Sequence, residues 1–594
     1  MTLGMARARL QVAADEFRRM FLNSVTMRKD FSFGIEPVRE VLVHDVRPGL
    51  LILLGAVSLV LLIACANVAN LLLVRANGRQ REIAIRCAIG AGRGRIVRQL
   101  LGESVLLGLA GGTLGLVVGV SGIRLLLALN PAIPRIGVNG ANVVVDARVL
   151  AFTFLLSLAT GVLFGLIPAL QATRSDLSRV LTGNSTGAGT SRERGNLRSA
   201  LVVSEIALAL ILSVGAVLLI RSFLALRAVD SGFDPHNLLT LRISLSSPRF
   251  ESTAQVDQFL RQETERLRSL RGVVSVGIAS WLPFEFGAGL PFTSPRVAEN
   301  VPIHPWGHWR NVSPGYFEAL KLPLIRGRVF TDGDKLGSPG VVIINRAMAR
   351  QYWQDRDPLH ERMIIAPNIG REFDEPPREI VGIVGDIHDE GLDHNAPPTM
   401  YVPNAQVSDA RMARLRKSVV WMIRTRVEPH SLAPAIRNEL QGRSGLPVGD
   451  VRSMDEIVDE TTARRQFDML LLSVFGGSAL FLAAIGVYGV IAYSVQQRTR
   501  EIGIRLALGA GSTAVRNMVV RDGLRLAICG LTIGITAAFG LTRFLASFLF
   551  GTKTSDPIAF VIAPIVLIAI ALIAVWLPAE RAGRIDPASA LRSD

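Results

Sequence analysis

The sequence predicts a multi-pass α-helical membrane protein, internally duplicated, with an α+β domain outside the bilayer. Three observations predict it. First, apolar residues gather into long blocks in a chain of 594 residues that is 49% hydrophobic, with mean hydropathy +0.37, the pattern of repeated bilayer crossings. Second, Arg81-Glu-Ile-Ala-Ile-Arg86-Cys-Ala-Ile-Gly90-Ala-Gly92 returns 419 positions later as Arg500-Glu-Ile-Gly-Ile-Arg505-Leu-Ala-Leu-Gly509-Ala-Gly511, so a unit is doubled. Third, one long polar stretch, residues 222–466, alternates strand and helix patterns.

The charge balance agrees. A net charge of +16 could indicate nucleic acid, but the basic residues cluster at the ends of apolar runs, where they fix orientation. No nucleic-acid partner is expected. The three cysteines, Cys65, Cys87 and Cys529, give neither a disulfide framework nor a CxxC metal site.

Residues 1–47 are polar and lack a signal-peptide pattern. Their end, Gly34-Ile-Glu-Pro-Val38-Arg-Glu-Val41, resembles Asp450-Val-Arg-Ser-Met454-Asp-Glu-Ile457 before a later span, so they are expected to be the remnant of an outer domain. Residues 48–172 form a first three-span unit, with spans near 50–74, 100–129 and 149–170. Residues 173–198, rich in Gly, Ser, Thr and Arg, are expected to be a flexible cytoplasmic linker. A span over 199–221 then leads outward. Residues 467–594 form a second three-span unit, with spans near 469–495, 519–549 and 558–577. Seven spans with arginine-rich inner segments place the N-terminus outside and the C-terminus inside.

Each repeated helix lies between two spans. The Gly-Ala-Gly segments, Gly90 to Gly92 and Gly509 to Gly511, are expected to end the helices and let the chain turn. A second pair repeats too: Pro168-Ala-x-x-Ala172-x-Arg174-x-Asp176 matches Pro578-Ala-x-x-Ala582-x-Arg584-x-Asp586 at an offset of 410. The charged helices suit either interfacial anchoring on lipid phosphates or docking of a soluble partner.

In the outer domain, residues 237–245, a helix over 255–270 and residues 273–279 predict a βαβ unit. Further strands over 341–345, 379–385 and 419–425, with helices over 347–353 and 431–441, predict two α+β lobes. Inside the membrane the polar candidates are Asn67, Asn70 and Glu205. The asparagines suit interhelical hydrogen bonds or a substrate path, and their second-half counterparts are Gly486 and Gly489. Glu205 is either a functional carboxylate or a partnered one. No nucleophile elbow, Ser/His/Asp set or metal-ligand spacing is visible; catalytic residues, metal and cofactor are each expected to be none. His304 with His308 and His388 with His394 lack a shared helical face for zinc.

Ala64-Cys-Ala-Asn67-Val-Ala-Asn70, the two Arg-Glu-Ile helices, Asn311-Val-Ser-Pro-Gly-Tyr316-Phe317, Gly327-Arg328-Val-Phe330-Thr-Asp-Gly-Asp334 and Val381-Gly-Ile-Val384-Gly385-Asp386 resemble the MacB/FtsX-like permeases of ATP-binding-cassette systems. The doubling resembles that family's duplicated orphan permeases. Relative to them the chain lacks a first span and most of a first outer domain, which implies N-terminal truncation. His360 follows Asp357-Pro358-Leu359 where the family has glycine.

The resemblance implies FtsX-like helical units, a MacB-like periplasmic core domain, residence in the bacterial inner membrane and a separate cytoplasmic ATPase that supplies energy. No GxxxxGK[ST] loop occurs in the chain, so it is not expected to be an enzyme. On the same resemblance Arg81, Glu82, Arg86, Arg500, Glu501 and Arg505 would carry the docking. The expected function is export or extraction of a substrate by mechanical coupling. The alternative is FtsX-like control of an outer partner without transport. A further copy of itself or another permease chain is a possible partner in the bilayer.

Overall fold

Long apolar blocks become long helices because the bilayer leaves backbone groups no partners except one another. The protein is described by a computed structural model over residues 3–20, 33–44, 47–78, 92–129, 147–173, 188–285, 287–295, 297, 305–354, 356–367 and 375–584. The chain divides into two units, Met1–Leu42 with Leu226–Ala463 and Val43–Ala225 with Arg464–Asp594.

The first part of the chain is helical: α1 (Leu3–Met20), α2 (Val38–His44), α3 (Arg47–Gly78), α4 (Arg93–Leu129), α5 (Ala147–Thr173) and α6 (Ala188–Arg227). α6 begins at Ala188, inside the stretch read as a linker, so its second half is helix. A span is a ready nucleus, and adding turns to it is far easier than starting a helix. The rest of that stretch, 174–187, lies outside the described residues.

The outer unit holds β1 (Leu238–Ile243), α7 (Thr253–Ser269), β2 (Val273–Ala279), β3 (Ala288–Thr293), β4 (Trp306–Val312), α8 (Tyr316–Leu320), β5 (Leu324–Gly327), β6 (Val341–Asn345), α9 (Arg346–Tyr352), β7 (Arg362–Ile365), β8 (Arg378–Val384), β9 (Thr399–Pro403), α10 (Asp409–Leu415), β10 (Val419–Thr425), α11 (Pro429–Ser444) and β11 (Val448–Ser453). α7 starts two residues earlier than its spacing predicts, because Ser252 and Gln255 form a capping box, each side chain bonded to the other's backbone N–H. The βαβ unit is split: β10 lies between β1 and β2 and runs antiparallel to both.

The two expected lobes share one hydrogen-bonded network, ordered β11-β1-β10-β2-β4-β3-β7-β8-β6-β9, with β5 on β8 and β4 also paired with β9. The register between β2 and β4 is a single pair, Ala279 with Val312, so the lobes are distinct yet stitched together. Alternation along β10 sends Val419, Trp421 and Ile423 into one core and Val420 and Met422 into another, as a period of two dictates.

The chain closes with α12 (Met454–Gln497), α13 (Thr499–Ala507), α14 (Ser512–Leu541) and α15 (Pro557–Gly583). Among the described residues, six helical stretches are long and apolar enough to cross a membrane: 47–74, 94–125, 198–227, 454–497, 512–548 and 557–583. The remaining predicted span, near 149–170, falls on α5, whose apolar stretch Ala147–Leu163 is shorter. α6 is deeply enclosed, with Val202, Ile206, Leu210, Val214 and Leu218 at most 1% exposed.

The last two spans of each half pack alike. On α4, a Cβ at Gly108 would meet the Ser157 carbonyl of α5 at 2.8 Å, and one at Gly165 would meet Ser104 at 2.6 Å. On α14, Gly523 stands at the position of Ser104, and Val575 of α15 stands at the position of Gly165. A Cβ at Gly523 would meet Val575 at 2.6 Å. The large and small members have changed sides while the close approach is kept.

Candidate functional site

α13 is the second copy of the repeated helix, and its geometry explains the repeat's residue types. Ile502 is 1% exposed, whereas Ile504 and Leu508 are 44% and 83% exposed. Leu508 and Ile504 share a side with Glu501 and Arg505, at the spacing that places residues over one another on a helix. The Arg505 guanidinium donates to Glu501 Oε1 at 2.6 Å and contacts Met518 Sδ at 2.8 Å. Arg500 is exposed beside them.

The helix ends as its glycine predicts. Gly509 has φ +92°; its N–H donates to the Leu506 carbonyl and that of Ala510 to the Arg505 carbonyl, both at 3.0 Å. That bond pair is a Schellman motif, which a left-handed residue at this position completes. Gly511 is extended, with φ −63° and ψ 144°, and caps α14, so it starts the next helix rather than stopping this one. In the first copy, Arg81, Glu82, Arg86 and Gly90 lie outside the described residues, and Gly92 accepts the first turn bond of α4 from Arg95. The exposed apolar pair Ile504 and Leu508 escaped the sequence argument, although Ile85 and Ile89 stand at the same repeat positions and could have shown it.

Inside the bundle, Asn67 and Glu205 meet. The Asn67 amide donates to Glu205 Oε1 and, at 2.9 Å, to the Leu482 carbonyl of α12. Glu205 is 2% exposed. Gly486, the repeat counterpart of Asn67, lies against both: a Cβ there would come within 2.0 Å of Glu205 Oε2 and 2.6 Å of Asn67 Oδ1. Three helices thus close on one polar contact, and Glu205 is a partnered carboxylate. Asn70 is 3% exposed and its Oδ1 has no hydrogen-bond partner among the described residues.

The outer unit holds an open groove of about 1030 Å³ lined in part by Arg227, Asp230, Asp234, Lys321, Asp386 and Asp455. Beneath its surface Arg310 and Asp389, each 1% exposed at the side chain, pair at 2.9 Å. The guanidinium also donates to the Trp281, Leu282 and Glu285 carbonyls. Burial pushes the Asp389 carboxyl up, and the charge of Arg310 offsets this only in part. Burial pulls Arg310 down, but Asp389, together with Tyr316 and Tyr401, outweighs it. Sequence reasoning passed over Arg310, whose signal was a charged residue at an inward position of β4. His308 bonds Glu390 at 3.0 Å and His388 the His394 carbonyl at 2.7 Å; His304 lies outside the described residues.

The outer-unit motifs that carry the resemblance make contacts within that unit. Asn311 bonds Ser280 and Asn404 inside the outer unit, and a Cβ on Gly315 would come within 2.3 Å of the Val276 carbonyl. Arg328 holds Asp334 through two bonds of 2.8 and 2.9 Å.

Comparison with known proteins agrees with this architecture. The family model described as FtsX-like permease C-terminal matches residues 54–177 and again 473–587. The MacB-like periplasmic core domain matches residues 206–443. A macrolide export ATP-binding/permease protein MacB of Azoarcus sp. is 26% identical over 292 residues, which cover 47% of this chain and 41% of that protein. The ABC transporter permease YvrN of Bacillus subtilis is 26% identical over 297 residues, 47% of this chain and 69% of that one. This chain thus spans less than half the length of the MacB proteins it matches. Among solved structures, the periplasmic region of MacB from Actinobacillus actinomycetemcomitans is similar at 15% identity over 38% of this chain and 92% of that one, with a TM-score of 0.24. The protein is a multi-pass component of the bacterial inner membrane with two FtsX-like units and a MacB-like core domain, and it belongs to the MacB/FtsX-like permeases of ATP-binding-cassette systems.

Proposed function

We propose that this chain is the non-hydrolysing permease partner of a separate cytoplasmic ATPase, and that it passes the ATPase's movement to its outer domain for export or extraction of a substrate. The observation that carries this is the exposed face of α13, where Ile504 and Leu508 flank the Glu501–Arg505 pair. Lipid anchoring alone would need no defined stop at the end of the helix. A rigid, Schellman-stopped helix with an apolar centre and a charged rim suits a protein surface. Its first-half counterpart, with Arg81, Glu82 and Arg86, would offer the same face twice, to the two halves of a dimeric ATPase.

On this reading both repeated helices and the C-terminus lie on the inner side and the sheet domain outside. Two of the three boundaries between the units fall inside the long helices α6 and α12, the third inside α2; α6 and α12 would carry the movement. Export is favoured over control of an outer partner by the relatives, whose names include macrolide export.

A photoreactive leucine analogue at position 508 tests the docking in intact cells. Capture of an ATP-binding-cassette subunit is expected, together with ATPase turnover in vesicles that is stimulated by this chain and lost in Arg505→Glu and Leu508→Asp. Labelling of Arg505→Cys from outside intact cells would overturn the topology. Turnover insensitive to any exported compound would favour regulation over transport.

A further inference from the structure

Glu205 places a carboxylate inside the membrane-spanning bundle with no cationic side chain beside it. It is 2% exposed, and its polar contact among the described residues is the Asn67 amide. Arg198, two turns earlier on α6, is about 10 Å away along the helix and engaged elsewhere. It donates to the Leu73 carbonyl at 3.4 Å and covers the Tyr493 ring at 4.3 Å. A lone carboxylate is among the costliest groups a bundle can hold in hydrocarbon.

The oxygens around it converge. Both hydrogens of the Asn67 amide are engaged, with Glu205 Oε1 and with the Leu482 carbonyl, so Asn67 Oδ1 remains an acceptor. That oxygen and Glu205 Oε2 lie 2.6 and 2.0 Å from one point, the place a Gly486 Cβ would take. Two acceptor oxygens drawn together with no donor between them repel.

A third oxygen lies one turn on. α3 and α12 run side by side in the same direction, since Asn67 meets Leu482 and Gly486 while Leu73 and Tyr493 share Arg198. Asn70, three residues after Asn67 on the same face, therefore stands level with Gly489. It is 3% exposed, and its Oδ1 has no hydrogen-bond partner among the described residues. A Cβ on Gly489 would meet nothing within 4 Å, so the backbone there leaves room. Asn67 and Asn70 are the repeat counterparts of Gly486 and Gly489: one copy supplies the oxygens, the other the space.

We propose that Glu205, Asn67 and Asn70 hold a monovalent alkali-metal cation such as sodium between α3, α6 and α12, with water completing its shell beside Gly489. The donors are all oxygen, which suits a hard cation. They bring one formal negative charge, so a monovalent ion leaves the site neutral, whereas a divalent ion would leave a buried positive charge. A proton on Glu205 would join Oε2 to one oxygen only and leave Asn70 Oδ1 without a donor. Ion loading would tie α6 to its two neighbours. The site follows from side-chain geometry within the bundle and does not depend on the ATPase docking; either can fail while the other stands.

The test uses the full chain in detergent micelles and measures radioactive sodium by equilibrium dialysis in a choline buffer. Saturable binding is expected, weakened about tenfold or more by Glu205→Gln and by Asn70→Leu. Asp522→Asn, at a partly exposed carboxylate of α14 paired with Arg498, should bind like the parent. Exchanging choline for sodium at constant ionic strength should also raise the parent's detergent-resistance midpoint by a few degrees, by mass action, and leave that of Glu205→Gln unmoved. Absence of saturable binding in the parent would overturn the site, as would binding that survives Glu205→Gln in a chain that elutes like the parent. A parent midpoint indifferent to the exchange overturns it too, and that comparison needs no variant, so it decides the matter even where Glu205→Gln fails to fold.

Discussion

Gly486 leaves the space that the Glu205 carboxylate occupies: a Cβ on the glycine would come within 2.0 Å of Oε2. The absence of a side chain on α12 is therefore what lets α6 bring its carboxylate to Asn67. Gly486→Ala is expected to destabilise the bundle by about 1–3 kcal/mol through overpacking. Gly489→Ala, where a Cβ would meet nothing within 4 Å, should be near neutral. Detergent-resistance midpoints of the two variants check the contrast.

His360 holds a left-handed backbone, with φ +64°. Its ring offsets part of that strain by bonding Glu379 at 2.8 Å on the surface. A left-handed residue with a side chain costs about 1–2 kcal/mol, and an exposed pair returns at most about 1 kcal/mol. His360→Gly should therefore raise the unfolding midpoint, and His360→Val lower it, in thermal melts of the full chain.

Arg310 and Asp389 are fully enclosed in the outer unit. Removing one partner leaves an uncompensated buried charge, which costs about 3–5 kcal/mol. Asp389→Ala should make the outer unit sensitive to limited proteolysis at temperatures the parent survives. Asp393→Ala, a partly exposed neighbour in the chain, should not.

Acid should weaken the outer unit through two carboxylates. Burial would raise Asp334 and Asp450, but bonds from Arg328 and Thr331 to the first, and from Arg452 and Arg242 to the second, outweigh it and hold both below the usual range. Their folded pKa values lie below the unfolded ones, so this stability is complete above the unfolded value and disappears as pH falls through the folded one. The loss is expected below about pH 4. Asp334→Asn should be less stable at neutral pH and show a shallower decline with acid, read from denaturant midpoints across that range.

The membrane elements were legible because burial in lipid demands unbroken apolar runs, and the helix stop at Gly509 because only a left-handed residue completes that cap. The outer lobes were harder. Local alternation finds β1 and β2, but nothing near them announces that β10, almost 150 positions on, slides between them. Asn67 was legible as an interhelical hydrogen bonder, while its partner Glu205 stands 138 positions away and only the folded chain selects it. Ile504 and Leu508 read as ordinary apolar positions until their exposure is known.

The exchange of bulk between Ser104 over Gly165 and Gly523 beneath Val575 sets a limit on the gene's future. Copying the α4 sequence over α14 would drive a serine into Val575, and the reverse copy would leave two glycines facing a void. Homogenisation between the copies is thereby penalised, and each is free to specialise.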